Sequence, residues 1–150
     1  MKIITKNKKA FHNYDIKDTL EAGIVLTGDE VKSLRQGNVS LADAYATIHG
    51  NEINLINCYI APYSHAYSKD EDKTRKSRKL LLHRKEINKL IGEVSRKGMT
   101  LVPLKMYFSN KGLVKIELGI AKHKKAVSKK RELKEKDILR STRRETKYKI

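Results

Sequence analysis

Residues 104–120 read LKMYFSNKGLVKIELGI, which is the clearest period-two pattern in the chain. Its large apolar residues fall on every second position on either side of a turn at 109–112: Leu104, Met106, Phe108, Val114, Ile116, Leu118 and Ile120. Period-two alternation is typical of β-strands that bury one face. The stretch therefore predicts an antiparallel β-hairpin.

Further strands are predicted upstream of this hairpin. Residues 41–48 and 52–60 are apolar enough for two strands, and HGN at 49–51 joins them with the glycine that a tight hairpin needs. The segment 24–35 begins with alternating apolar residues and changes phase after Gly28, which indicates a strand with a bulge at that glycine.

One clear helix interrupts the strands. Its apolar residues recur with the spacing of a single helix face: Ile87, Leu90, Ile91 and Val94. Gly98 follows as a C-terminal stop, so we expect a helix from about His83 to Lys97, with a weaker helical turn over 15–22. The predicted fold class is mainly β with one or two helices, as a closed antiparallel β-barrel of the oligonucleotide-binding (OB) type.

The charge is strongly positive and points to a polyanionic partner. The chain has 34 Lys and Arg against 17 Asp and Glu, a net charge of +17 over 150 residues. Nucleic acid is the first candidate partner, and a membrane is disfavoured because the chain has neither a long apolar span nor a wide apolar helix face. The N-terminus lacks the apolar stretch of a secretory signal, which favours a cytoplasmic protein, and the lone Cys58 is expected to pack in the core.

The excess charge is concentrated at the C-terminus. Residues 122–150 hold 13 Lys and Arg against 4 Asp and Glu, and they contain few aliphatic residues. Such a segment cannot bury a continuous face and is expected to be disordered alone, or a fraying helix. We therefore expect a barrel domain over 1–121 and a basic tail over 122–150.

Sequence motifs for catalysis are lacking. The five histidines have no metal-binding spacing, and neither a phosphate-binding glycine loop followed by Lys-Ser/Thr nor a GxSxG elbow occurs. We expect no enzymatic activity, no metal and no cofactor.

Basic runs offer the better candidate sites. The loop SKDEDKTRKSRKLLLHRK at 68–85 can hold a phosphate backbone, with Tyr63 and Tyr67 available to stack on bases, although a solvated loop beside half-buried tyrosines is the alternative. The RNA-binding candidates from basic runs are Lys8, Lys9, Arg75, Lys76, Arg78 and Lys79. The tail candidates are His123, Lys124, Lys125, Lys129, Lys130, Arg131 and Lys134.

Five stretches occur in an order that resembles the SmpB (SsrA-binding protein) family across residues 6–137. They are NKKAFHNY, EAGIVLTGDEVKSLRQG, RKLLLHRKEI, GMTLVPLKMYF and VKIELGIAKHKK. The resemblance implies an OB-type barrel that binds the tRNA-like domain of transfer-messenger RNA (tmRNA). The complex, carried with elongation factor Tu, would then enter ribosomes stalled on non-stop mRNA and rescue them by trans-translation. It further implies a tail that is disordered alone and becomes helical in the empty mRNA channel, downstream of the decoding centre.

The resemblance also assigns individual residues. Asn7, Glu21 and Arg35 match family positions associated with RNA binding. A planar guanidinium suits phosphate or a guanine edge, whereas Glu21 either accepts hydrogen bonds from RNA or forms a salt bridge within the barrel. Lys124 and Lys125 match the basic pair at the start of the tail.

The start of the tail departs from the family pattern at three positions. His123 replaces a glycine, Val127 stands where an aromatic residue or histidine is common, and Ser128 replaces a carboxylate. These departures put the details of the decoding-centre contact in question. The alternative function is a ribosome-associated basic protein that binds rRNA or assists assembly, and a third is an RNA-modifying or RNA-cleaving enzyme, which no spacing favours.

Overall fold

The computed structural model describes residues 1–64 and 73–124. The predictions for Tyr67 and for the tail beyond Lys124 lie outside the described residues. Within them the chain is mainly β, with three helices. In chain order the elements are β1 Lys2–Lys6, α1 Lys8–Asn13, β2 Tyr14–Ile24, α2 Gly28–Arg35, β3 Val39–Ser40, β4 Tyr45–His49, β5 Glu52–Ile56, β6 Tyr59–Ile60, β7 Arg78–Leu81, α3 Arg84–Lys97, β8 Thr100–Phe108 and β9 Val114–His123.

Six antiparallel strands pair in a closed ring in the order β8, β4, β5, β7, β2 and β9, with β9 returning to β8. Strand β1 adds to β8 beyond the β4 pairing, and β3 pairs with β6 in a separate two-stranded sheet. Every strand of the ring therefore has a neighbour on both sides, and the inward residues share one core.

The predicted hairpin of residues 104–120 is confirmed. Strands β8 and β9 pair antiparallel, with Phe108 opposite Val114 and Met106 opposite Ile116. Gly112 has a φ of 77°, the left-handed conformation that closes the turn. The hairpin at 49–51 is also confirmed, with Gly50 at a φ of 63° between β4 and β5.

The helix predicted from His83 to Lys97 is confirmed as α3, Arg84–Lys97. His83 is its N-cap, and Gly98 ends it with a φ of 64°. The apolar face carries Leu90, which is fully buried in the core. The spacing of the apolar residues and the glycine stop thus located this element within one residue.

Two sequence predictions were wrong in the N-terminal third. The proposed strand over 24–35 ends at Ile24, and residues 28–35 form the helix α2 instead. Thr27 and Glu30 form a capping box that starts this helix, which explains the phase change that we attributed to a bulge at Gly28. The weak helical turn expected over 15–22 lies within the long strand β2, and the first helix is α1, just before it.

The two middle strands are shorter than predicted. Residues 41–44 form a turn before β4, and the predicted strand 52–60 divides into β5 and β6 at Asn57, whose φ is 62°. Asparagine tolerates this left-handed conformation better than most residues, so the break falls at a suitable side chain.

The core fills the inside of the ring. Strand residues such as Leu55, Met106 and Ile116 supply most of it, and Leu34 of α2 and Leu90 of α3 pack against them. Cys58 is completely buried in this cluster, as its apolar surroundings in the sequence predicted.

Candidate nucleic-acid interface

Strand β7 separates inward from outward residues in the basic loop. Arg78 and Leu80 are buried, whereas Lys79 and Leu81 on the other face are exposed. Lys79 is paired across the surface with Glu52, at 3.6 Å between Nζ and Oε1. Two adjacent basic residues of the predicted RNA-binding loop therefore have opposite environments, and only Lys79 faces outward.

Arg78 was predicted to contact RNA, but its side chain is inside the protein and only 2% exposed. Its Nε donates to Glu30 Oε2 at 2.5 Å. Its Nη1 donates to the carbonyl oxygens of Cys58 and Lys76, and its Nη2 donates to those of Lys73 and Thr74. The guanidinium is therefore used within the fold, and all five of its donors point to oxygens of the protein.

Glu30 is the partly buried counter-charge of Arg78. It also accepts the Thr27 N–H at 2.9 Å, and Lys76 Nζ lies 3.5 Å from its Oε1. Burial acts to raise the pKa of Glu30, but the Thr27 hydrogen bond together with Arg78 and Lys76 outweighs it, so the pKa is lowered. The carboxylate is therefore ionised at neutral pH and ties the start of α2 to the basic loop.

Arg75 lies on the outside of the same loop. Its Nη1 donates to Asn57 Oδ1 at 3.2 Å, and its guanidinium is 5.3 Å from the centre of the Tyr59 ring. Stacking on an aromatic ring holds the guanidinium in place while leaving it exposed. Arg75 thus has the geometry of a presented phosphate-binding group.

Arg35 is the last residue of α2 and is exposed. On the same helix Lys32 lies 5.3 Å from the ring centre of Tyr63, one of the tyrosines considered for stacking on bases. The Tyr63 ring therefore already carries a cation on one side.

Glu21 lies on the outer surface of the β2–β9–β8 sheet. Its Oε2 accepts a hydrogen bond from the Tyr107 hydroxyl. Burial, and then this hydrogen bond, raise the pKa of Tyr107 well above its usual value, so the tyrosine remains a donor. Beside it Lys105 and Glu117 are paired at 3.5 Å. A salt bridge and an RNA contact were the two roles expected for Glu21; among residues 1–64 and 73–124, its side-chain partner is the Tyr107 hydroxyl.

Asn7 is one of the residues predicted to bind RNA, and it is buried. Its side chain accepts from the Ala10 N–H as the N-cap of α1. Its amide nitrogen donates to the carbonyl oxygens of Leu41 at 3.1 Å and Pro103 at 2.9 Å. These bonds use both amide hydrogens, so the geometry favours a role in positioning α1 over a direct contact with RNA.

A cleft of about 350 Å³ lies between α1, the turn at 42–44 and the ends of β8 and β9. Lys9 and Asp43, which are paired at 3.3 Å, lie on its wall. His123 and Tyr14 form a ring pair there with centres 4.4 Å apart. Lys124 follows His123 in sequence, and its Nζ lies 3.4 Å from the carbonyl oxygen of Phe11. Lys8 is exposed on α1, next to Lys9 in sequence.

The structure thus divides the predicted residues among three places. The Arg78–Glu30 pair is surrounded by Arg75 and Lys76. The region of α1 and its cleft holds Asn7, Lys9, His123 and Lys124. Glu21 lies apart from both, on the outer sheet. Lys125, Lys129, Lys130, Arg131 and Lys134 are outside the described residues. The strand β9 continues to His123, two residues beyond the predicted end of the barrel.

Sequence reasoning missed the aromatic partners of these residues. Glu21 contacts Tyr107, and His123 contacts Tyr14; in both pairs the partners are far apart along the chain. Arg75 contacts Tyr59, which is nearer in sequence. For Tyr107 the alternation of the hairpin already placed it on the face opposite Met106. No local signal linked it to Glu21.

Within residues 1–64 and 73–124, no group of three or more histidine, cysteine or acidic side chains is placed to hold a metal ion. None of the helices that the structure describes is long and apolar enough to cross a membrane.

The sequence is similar to one family over nearly its whole length. A model of the SmpB protein family matches residues 4–148. The SsrA-binding protein of Rickettsia bellii is 55% identical over 143 residues, which are 95% of this chain and 94% of that protein. The SsrA-binding protein of Coprothermobacter proteolyticus is 47% identical over 147 residues, 98% of each chain.

The fold agrees with this similarity. A solved chain from the work described as "tmRNA-SmpB: a journey to the center of the bacterial ribosome" is 48% identical, with a TM-score of 0.67. The match covers 81% of this chain and 85% of that chain. By the extent of the family match and of these identities, the chain belongs to the SmpB family.

Proposed function

We propose that this protein binds tmRNA and brings it to stalled ribosomes in trans-translation. The observation that carries the proposal is identity of about half the residues to SsrA-binding proteins over nearly the full length of both chains. The net charge of +17 suits a partner that is an RNA.

The tmRNA contacts are assigned to exposed side chains. Lys79 and Arg75 supply phosphate contacts from the basic loop, and Arg35 supplies another from the end of α2. Glu21 is held by the Tyr107 hydroxyl with acceptor capacity left for base amines or 2′-hydroxyls. Lys76 adds charge in the same loop, and Lys8 and Lys9 add charge at α1. Neutralisation of phosphates by these lysines makes the affinity depend on salt.

The closed ring of strands is proposed to be an OB-type barrel, with residues 1–123 as the RNA-binding unit. The tail from Lys124 onward is proposed to enter the empty mRNA channel and become helical there. Its charge suits a channel lined by rRNA phosphates. Elongation factor Tu is the proposed carrier of the complex, and the bacterial cytoplasm is its proposed location.

The protein is proposed to act by binding alone. The family is one of RNA-binding proteins, and the buried Cys58 thiol has its pKa raised to about 11, mainly by burial, so it is a poor nucleophile at neutral pH.

A salt series tests the proposed partner. The affinity for a tmRNA transcript is compared with that for a tRNA of similar size between low and physiological salt. Phosphate contacts weaken for both RNAs as salt rises, so specific binding is expected to keep a tmRNA preference of about tenfold or more. Equal affinity at every salt concentration would contradict the proposal.

Recovery of RNA from cells separates the alternative function. The protein is captured from a lysate and the bound RNA is sequenced. Enrichment of tmRNA is expected. Enrichment of rRNA fragments without tmRNA would contradict the rescue function and support rRNA binding instead.

A further inference from the structure

We propose that Arg78 is a positioning residue that shapes the basic surface from inside the protein. The inference rests on the proposed function, because the surface it shapes is the one assigned to tmRNA. It assigns Arg78 a role distinct from that of its exposed neighbours Arg75 and Lys79, although all three lie in one basic run.

Arg78 uses every hydrogen-bond donor of its guanidinium within the protein. A guanidinium has five N–H groups, and Arg78 directs them at five oxygens of the protein. The oxygens are those of Glu30 and of the Cys58, Lys73, Thr74 and Lys76 carbonyls, at distances from 2.5 to 3.3 Å. With 2% of the residue exposed, no donor remains for a phosphate.

The hydrogen bonds to Arg78 also fix the path of the basic loop. Three carbonyls between residues 73 and 76 turn inward to the guanidinium, which leaves Arg75 facing outward. The carbonyl of Thr74 also accepts the Ile60 N–H at 2.9 Å, so the same turn is fixed to β6. The position of Arg75 over Tyr59 therefore follows from a loop wrapped around Arg78.

Arg78 is also linked to α2. Glu30 neutralises Arg78 and also closes the capping box at the start of that helix. Arg35 lies at the other end of the helix. One partly buried ion pair thus connects two separate elements that carry proposed RNA contacts. Lysine cannot replace Arg78 here, because an ammonium has three donors and no planar fork.

A double-mutant cycle tests the proposal. Affinity for a tmRNA transcript is measured at one moderate salt concentration for the wild type, Arg75→Ala, Arg78→Lys and the double variant. If Arg78 acts through Arg75, the loss from Arg75→Ala, about fivefold in the wild type, falls below about twofold in the Arg78→Lys background. Multiplicative losses would overturn the proposal.

Lys79→Ala is the matched control. It removes an exposed charge from the residue next to Arg78 without touching the buried bonds. Its loss of affinity is expected to multiply with that of Arg75→Ala, as for independent phosphate contacts. A Lys79→Ala effect that also disappears in combination would mean that the cycle reports charge alone, which would overturn the positioning role.

Hydrogen exchange gives a readout that needs no RNA. The Ile60 amide, bound to the Thr74 carbonyl, is expected to exchange about tenfold faster in Arg78→Lys than in Lys79→Ala, while hairpin amides such as Leu118 keep their protection. Equal exchange in the two variants would overturn the proposal even where tmRNA binding is normal. Failure of the wild type to prefer tmRNA would instead overturn the proposed function alone. If Arg78→Lys does not fold, Glu30→Gln is the second variant, because it keeps the shape of the side chain and removes its charge. The Ile60 amide is then expected to exchange faster than in Lys79→Ala, by less than the tenfold expected for Arg78→Lys.

Discussion

Cys58 lies in the core with its carbonyl oxygen 2.6 Å from Arg78, and burial raises the pKa of its thiol to about 11. In the unfolded chain the thiol ionises near 9, so the folded state holds the proton over a wider pH range. The associated stability is fully present below pH 9 and is lost as the pH rises to 11. We expect this thiol to reduce the free energy of unfolding by about 2–3 kcal/mol across that interval, as measured by urea unfolding.

Cys58→Ala provides the comparison, because lysines and tyrosines titrate in the same range. The cavity that alanine leaves is expected to lower stability by a similar amount at every pH. The difference between the two proteins should therefore shrink from pH 9 to 11. A constant difference would show that the thiol is not shifted.

Arg78 and Glu21 differ in how far their environments could be predicted from the sequence. Arg78 lies two positions before Leu80 in a strand, and alternation alone would have placed both on the inner face. It was assigned to RNA because it falls in a basic run that can hold a phosphate backbone. The hydrogen bond between Glu21 and Tyr107 could not be predicted, because it joins residues 86 positions apart through strand pairings that local sequence does not specify.

At the scale of elements, α2 was misread as a strand. The residues Thr27 and Glu30 have the T-x-x-E spacing of a capping box, and both of its hydrogen bonds are present. The apolar positions in this short helix are too few to show its period clearly, so the cap was the better signal. In α3 the apolar face is longer and a glycine follows, and there the prediction was confirmed.

The cap of α2 gives a prediction for this element. Thr27→Ala removes the side-chain oxygen that accepts the Glu30 N–H at 3.2 Å, and we expect the free energy of unfolding to fall by about 1 kcal/mol. Thr27→Ser keeps the oxygen and is expected to change the free energy of unfolding by only a few tenths of a kcal/mol, about the size of the change that an ordinary surface substitution causes. Denaturant unfolding of both variants measures the difference. Equal midpoints for the two would mean that the cap is energetically silent.

At the scale of the whole molecule, one ring of strands carries charged groups of different kinds on separate surfaces. The hairpin at 104–120 could be predicted from its alternation, but the closure of the ring could not. Closure requires β2 to pair with both β7 and β9, which are distant in sequence from it. These pairings bring Glu21, the basic loop and α1 onto one body, with β9 ending at His123 where the tail begins.

This arrangement leads to a prediction for the whole chain. A chain ending at Lys125 keeps all the described strands and helices, and it lacks 10 of the 34 Lys and Arg. We expect its affinity for tmRNA at moderate salt to stay within about threefold of the full chain, because the assigned contacts remain, while its salt dependence becomes no steeper. Tagging of stalled peptides in a reconstituted translation system should be abolished, because the proposed probe of the mRNA channel is gone. Thermal unfolding of both chains controls for the fold. Equal losses of tmRNA affinity and of tagging would show instead that the tail is part of the tmRNA-binding surface.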